Sequence, residues 1–156
     1  DPGSGNAAPQ RRRRYARCGC EISSGKEHLT IKRMKDARRA RGSFGESVAA
    51  RLFLDKGFVV LERGWRTRFG EVDLVVRDGR GIRFVEVKTR ASAEFGPPEE
   101  AVTRRKLRTI ARVAEAYLEN RGWQHLPRQI DVVAIRTDTP DAPQVTHLED
   151  VGDGFG

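Results

Sequence analysis

Two short stretches carry the residue types that could do chemistry. One is Gly70-Glu71-Val72-Asp73; the other is Val85-Glu86-Val87-Lys88. Asp78-Gly79-Arg80-Gly81 lies between them and is a strong hairpin signal. If the turn centres on Gly79 and Arg80, Asp73 faces Glu86 and Glu71 faces Lys88 across an antiparallel pair. Side chains alternate along strands, so these four share one face. Two carboxylates directly opposite each other repel. A divalent cation reverses the sign of that interaction, and hard oxygen donors suit Mg²⁺ or Mn²⁺. A lysine beside such a metal matches the needs of phosphodiester hydrolysis, in which negative charge develops on phosphoryl oxygens. The same pattern also suits the wet face of a half-buried sheet, with Glu71 and Lys88 as an ordinary cross-strand ion pair.

The elements that must position these residues can be read around them. Ser43 and Glu46 have capping-box spacing, which predicts a helix from Ser43 to about Lys56, ended by Gly57. Residues 58–62, 70–76 and 82–88 read as three strands. Residues 89–98 read as a loop rich in small residues, Gly and Pro. A long helix is expected over about 98–120, with Val102, Leu107, Ile110, Val113, Ala114, Tyr117 and Leu118 on its apolar side and Gly122 beyond its end. Residues 130–135 suit a buried strand, and 145–148 a short edge strand. The expected fold is α/β, a mixed central sheet flanked by helices. Arg104, Arg105, Lys106, Arg108 and Arg112 on the second helix read either as a phosphate-binding face or as a solvated one. Trp65, among Arg63, Arg66 and Arg68, reads as a core residue more readily than as a base-stacking platform. His28, His125 and His147 cluster with no motif and read as surface or satisfied histidines.

The 156 residues suffice for one domain of ordinary size. No apolar run exceeds four residues, as in 58–61, so no membrane span is expected and the default compartment is the cytoplasm. Net charge is +8, but residues 1–33 alone carry +5, leaving +3 for the rest. The global charge is therefore weak support for polyanion binding by the domain itself. Residues 1–37 read as a basic, disordered tail or upstream extension ending near Met34, 38–150 as the domain, and 151–156 as a flexible terminus. Cys18 and Cys20 are the only cysteines, too close for a disulfide scaffold; with His28 they lack an evident fourth zinc ligand.

The string RTRFGEVDLVVRDGRGIRFVEVKTR resembles the YraN family of bacterial proteins. GSFGESVAARLFLDKGFVVLERGWR upstream, and FGPPEEAVTRRKLRTIARVAEAYL and RQIDVVAI downstream, extend the likeness over about residues 42–150. That family is similar to archaeal Holliday-junction resolvases and to the restriction-endonuclease-like superfamily, whose signature is PD-(D/E)xK. The resemblance implies a restriction-endonuclease-like core and a Mg²⁺- or Mn²⁺-dependent nuclease acting on DNA, with branched or damaged DNA among the substrates. A nucleic-acid-binding module without turnover is the alternative. By resemblance, Asp73, Glu86 and the Val87 carbonyl hold the metal, Lys88 is the signature lysine and Glu46 assists. Glu71, Arg90, Arg105 and Lys106 fall on the substrate side, as do Gly70 and the Phe95-Gly96 pair. Related resolvases are two-fold dimers, which admits a homodimer here. Val72 stands where the signature has Pro, and Gln129 where the family usually has an aromatic residue.

Overall fold

A computed structural model describes residues 25–91, 96, 100, 102–138 and 141–152, and for 25–35 and 38 only the backbone. The basic tail expected over 1–37 lies outside the described residues up to residue 24.

Helix α1 spans Gly25–Asp55. It runs unbroken through the expected start at Ser43, so Ser43 is not an N-cap; its carbonyl instead accepts from Ser47 Oγ at 2.9 Å. The surrounding Arg, Lys and Ala residues are good helix formers, which accounts for continuation through Gly42. The helix ends at Gly57 (φ +86), where Phe58 N–H donates to the Phe53 carbonyl and Gly57 N–H to that of Leu54. Strand β1 (Val59–Thr67) is longer than expected, β2 (Gly70–Arg77) and β3 (Ile82–Arg90) form the expected hairpin, and β3 takes in Thr89 and Arg90 from the expected loop. Helix α2 (Arg104–Arg121) begins later than expected, because Thr103 caps it by accepting from Lys106 N–H. Pro98 lies outside the described residues. Strands β4 (Arg128–Arg136) and β5 (Gln144–Leu148) follow.

The five strands form one sheet in the order β1-β2-β3-β4-β5, antiparallel except for the parallel pair β3–β4. A parallel pair needs a crossover, and α2 provides it. Helix α2 packs Leu107, Ile110, Val113, Tyr117 and Leu118 onto Val72, Val75, Ile82 and Phe84. Helix α1 packs Ala49, Ala50 and Phe53 onto Leu74, Val76, Val85, Val133 and Ile135. The result is a mixed sheet with one helix against each set of inward side chains, the layering of a restriction-endonuclease-like core.

Trp65 belongs to the core. Its ring meets Tyr117 edge-on at 4.9 Å, and Phe84 meets Tyr117 at 5.5 Å. A second buried feature had no sequence signal. Asp131, fully buried, accepts from Arg83, Gln129, His147 and the Asp150 N–H. These donors hold its carboxyl down at about 2 despite burial, which alone would raise it. His147 is thereby satisfied, its other ring nitrogen lying 2.7 Å from Lys56 Nζ. Gln129, the departure from the family pattern, is one of these donors.

Candidate active site

The β2–β3 ladder holds the expected register from Arg77↔Ile82 to Leu74↔Val85, then stops. Beyond it the Asp73 side chain enters between the strands, and its Oδ2 accepts from the Val87 N–H at 2.7 Å. On its other edge β3 stays paired with β4 as far as Arg90↔Arg136. So β2 leaves β3 at this end while β4 holds β3 in place.

Strand β2 also loses its alternation here. Val72 and Val75 pack beneath α2, whereas Leu74 and Val76 pack beneath α1. Strict alternation would put 72, 74 and 76 together. The position facing Asp73 on β1, between the pairs Arg63↔Leu74 and Trp65↔Val72, is Gly64. Its φ of +59 is left-handed, which glycine adopts without the Cβ penalty. The local twist turns Asp73 toward β3.

The opening is an open cleft of about 490 Å³, lined by Arg41, Gly42, Glu46, Glu71, Asp73, Val87, Lys88 and Thr89. Helix α1 reaches it because Gly45 presses on the end of β3: a Cβ there would fall 2.1 Å from Thr89 Oγ1. A second cavity, of about 310 Å³ between α2 and β4, shares no lining residue with the cleft.

Glu86 is 2% exposed and faces two ammonium groups. Lys88 Nζ is 2.6 Å from Oε1 and Lys106 Nζ is 3.1 Å from Oε2. The Lys106 contact lacks hydrogen-bond geometry, so the buried Oε2 has no hydrogen-bond partner. Asp73 is pushed up from 3.8 to about 6, first by burial and then by the Glu86 charge. The Val87 N–H and the Lys106 charge work against that rise, and Glu46 adds to it. An ionised Asp73 therefore lies in a field short of positive charge.

The remaining sequence-derived candidates are placed as follows. Glu46 lines the cleft, from the interior of α1 rather than from a capping position. Glu71 lines it too, but it pairs with Arg66 on β1 at 2.7 Å; Lys88 pairs with Glu86, so the expected Glu71–Lys88 opposition does not form. Arg90 ends β3, with its carbonyl accepting from Thr137 N–H, and Arg105 is exposed on α2; neither lines the cleft. Phe95 lies outside the described residues. Arg41 and Thr89 line the cleft and were not singled out in the sequence. Arg41 was hidden by the apparent helix start at Ser43. Thr89, two residues past Val87, could have been found by alternation.

Among the described residues no group of three or more His, Cys, Asp or Glu could hold a metal ion. The donors present are the carboxylates of Asp73 and Glu86 and the Val87 carbonyl. Such a set fits Mg²⁺, which is commonly bound by one or two carboxylates and keeps several waters. The buried Glu86 Oε2 meets Lys106 without a hydrogen bond, and Asp73 is pushed up, so both acids have capacity for a further positive charge.

A mixed five-stranded sheet between two helices, opening beside an acid on one strand and acid-x-Lys on the next, is an α/β architecture consistent with a restriction-endonuclease-like core. The chain itself belongs to the uncharacterised protein family UPF0102, whose model matches residues 45–135. A UPF0102 protein of Beutenbergia cavernae is 47% identical over 116 residues, covering 74% of this chain and 98% of that protein. One of Moorella thermoacetica is 44% identical over 105 residues, covering 67% and 88%. One of Rhodococcus jostii is 41% identical over 111 residues, covering 71% and 94%. The matched span of the family model runs from Gly45 to Ile135 and so includes every cleft residue except Arg41 and Gly42. No helix among the described residues is long and apolar enough to cross a membrane.

Proposed function

We propose that this protein is a Mg²⁺- or Mn²⁺-dependent nuclease that hydrolyses DNA phosphodiester bonds. One observation carries the reading: the carboxylates of Asp73 and Glu86 share the opened β2–β3 junction, where two lysines face Glu86. Asp73, Glu86 and the Val87 carbonyl are the groups that would hold the cation. When bound, the ion supplies polarisation of a phosphoryl oxygen and a lower pKa for water. Lys88, part exposed at the cleft, offers a fixed positive charge where negative charge develops on phosphorus. Glu46, on the α1 side of the cleft, can accept a proton or hydrogen bond from water there. Of the substrate-side candidates, Glu71 lines the cleft, held by Arg66, and Lys106 meets Glu86, whereas Arg90 and Arg105 stand outside the cleft.

The second reading is a nucleic-acid-binding module without turnover. What favours it is the row of exposed arginines on α2, namely Arg104, Arg105, Arg108 and Arg112, and the absence of acidic residues from that helix's first turn. The two readings part on the acids. The full chain, freed of host nucleases, is incubated with labelled single-stranded, duplex, flap and four-way-junction DNA in Mg²⁺, Mn²⁺ or chelator. Asp73→Ala and Lys88→Ala serve as controls. Metal-dependent cutting lost in both controls supports the nuclease. Salt-sensitive binding without cutting, undiminished in Asp73→Ala, supports the binding module and sinks the nuclease. The substrate cut fastest also tests whether branched DNA is preferred.

A further inference from the structure

We infer that Lys106 is a stand-in cation: it neutralises Glu86 Oε2 until a divalent ion takes that oxygen, and it then serves the DNA phosphate. This rests on the nuclease reading and adds to it a second lysine with a defined task. Lys106 belongs to α2, remote in sequence from the β2–β3 hairpin, yet its Nζ lies 3.1 Å from Glu86 Oε2.

The two lysines are not equivalent. Lys88 is fixed to Glu86 by the strand they share, with 2.6 Å between Nζ and Oε1. Lys106 touches Oε2 without a hydrogen bond, and its side chain is 30% exposed. Its backbone N–H donates to Thr103 Oγ1, which anchors the start of α2 and leaves the side chain to Glu86. A lysine stem has four rotatable bonds, whereas Glu86 is enclosed. Lys88 and Lys106 already place two ammonium groups against Glu86. A divalent cation added there brings two more positive charges, and repulsion falls on the ammonium that is held least. Lys106 then turns toward solvent at the start of α2, where Arg104, Arg105 and Arg108 are exposed. That movement adds a cation to the surface a phosphate would meet, so metal and DNA favour each other's binding, as linkage requires.

The test reads binding, not turnover. Mn²⁺ affinity of the full chain without DNA is measured from the free-ion electron paramagnetic resonance signal. DNA affinity is measured by fluorescence anisotropy with and without Ca²⁺. Parent, Lys106→Met, Lys106→Arg and Glu86→Gln are compared, with thermal unfolding to confirm that each is folded; Lys106→Gln replaces the Met variant if that fails. Lys106→Met is expected to bind Mn²⁺ roughly tenfold more tightly, because a like charge next to the ion is gone. It is expected to lose most of the Ca²⁺-dependent gain in DNA affinity, which Lys106→Arg retains. Mn²⁺ affinity unchanged or weakened in folded Lys106→Met, beside a parent that binds Mn²⁺ and a Glu86→Gln that does not, overturns the role of Lys106 alone. A parent with no more Mn²⁺ affinity than Glu86→Gln overturns the metal-dependent reading together with it.

Discussion

Replacing Asp73 by Asn should stabilise the metal-free protein while abolishing its proposed activity. Folding raises the Asp73 carboxyl from 3.8 to about 6, mainly by burial and by the neighbouring Glu86 charge. A rise of two pKa units corresponds to about 3 kcal/mol that ionised Asp73 costs the folded state near pH 8. The sign follows from the direction of the rise: the folded form binds the proton more tightly. The favourable contribution is full below the unfolded value near 4 and is lost as pH rises through about 6. Asparagine removes the charge and keeps an oxygen to accept from Val87 N–H. Its amide N–H₂ needs a partner in a half-buried place, which offsets about 1 kcal/mol. The net expected gain is about 2 kcal/mol in chelator at pH 8, a rise in Tm of several degrees. At pH 4, where the parent's Asp73 is protonated, the gain should fall below about 1 kcal/mol. Urea denaturation at the two pH values reads both quantities. Saturating Mn²⁺ should then reverse the order, since ligand at a hundred times its Kd stabilises only the parent, by about 2.7 kcal/mol. An Asp73→Asn protein no more stable than its parent at pH 8, or equally favoured at both pH values, would refute the reasoning.

Three further outcomes are expected. Asp131→Asn should destabilise by about 3 kcal/mol, because Arg83 and His147 lose a buried charged partner. In the parent, the contribution of Asp131 is present above pH 4 and is lost as pH falls through about 2, which acid titration followed by circular dichroism can read. Gly45→Ala should cost about 1–3 kcal/mol, since its Cβ would meet Thr89 Oγ1 at 2.1 Å; Thr89→Ala in the same chain should recover part of that loss, a coupling that a double-mutant cycle measures. Trp65→Ala should lower stability by about 3–5 kcal/mol through its lost packing on Tyr117, and equilibrium unfolding should report this while DNA affinity of the folded fraction is unchanged.

Much of the fold was legible because its signals are local. Asp78-Gly79-Arg80-Gly81 set the hairpin register, and the four pairs next to the turn follow it. The apolar period of α2 named Leu107, Ile110, Val113, Ala114, Tyr117 and Leu118, all of them buried. Glycines 57 and 122 marked two helix ends for the reason that both adopt left-handed φ. The sequence alone also brought Asp73, Glu86 and Lys88 to the end of one hairpin, because alternation and turn length are short-range properties.

Other features depended on contacts between distant segments, which no local pattern encodes. The capping-box spacing of Ser43 and Glu46 is real, yet the helix continues upstream, so Arg41 reaches the cleft with Glu46. Asp73 was expected simply to face Glu86; instead β2 loses its alternation opposite Gly64, and the carboxylate takes up a strand N–H. The partner expected for Lys88 was Glu71, but Arg66 holds Glu71, and burial brings Glu86 within reach of both Lys88 and Lys106. Asp131 sits inside an otherwise apolar strand, and only the fold gathers Arg83, Gln129, His147 and the Asp150 N–H around it. Sequence determined which acids and lysine lie near one turn. Packing of α1 and α2 on opposite sides of the sheet decided how deeply they are buried, which cations they meet, and therefore that Asp73 is costly to ionise until another positive charge arrives.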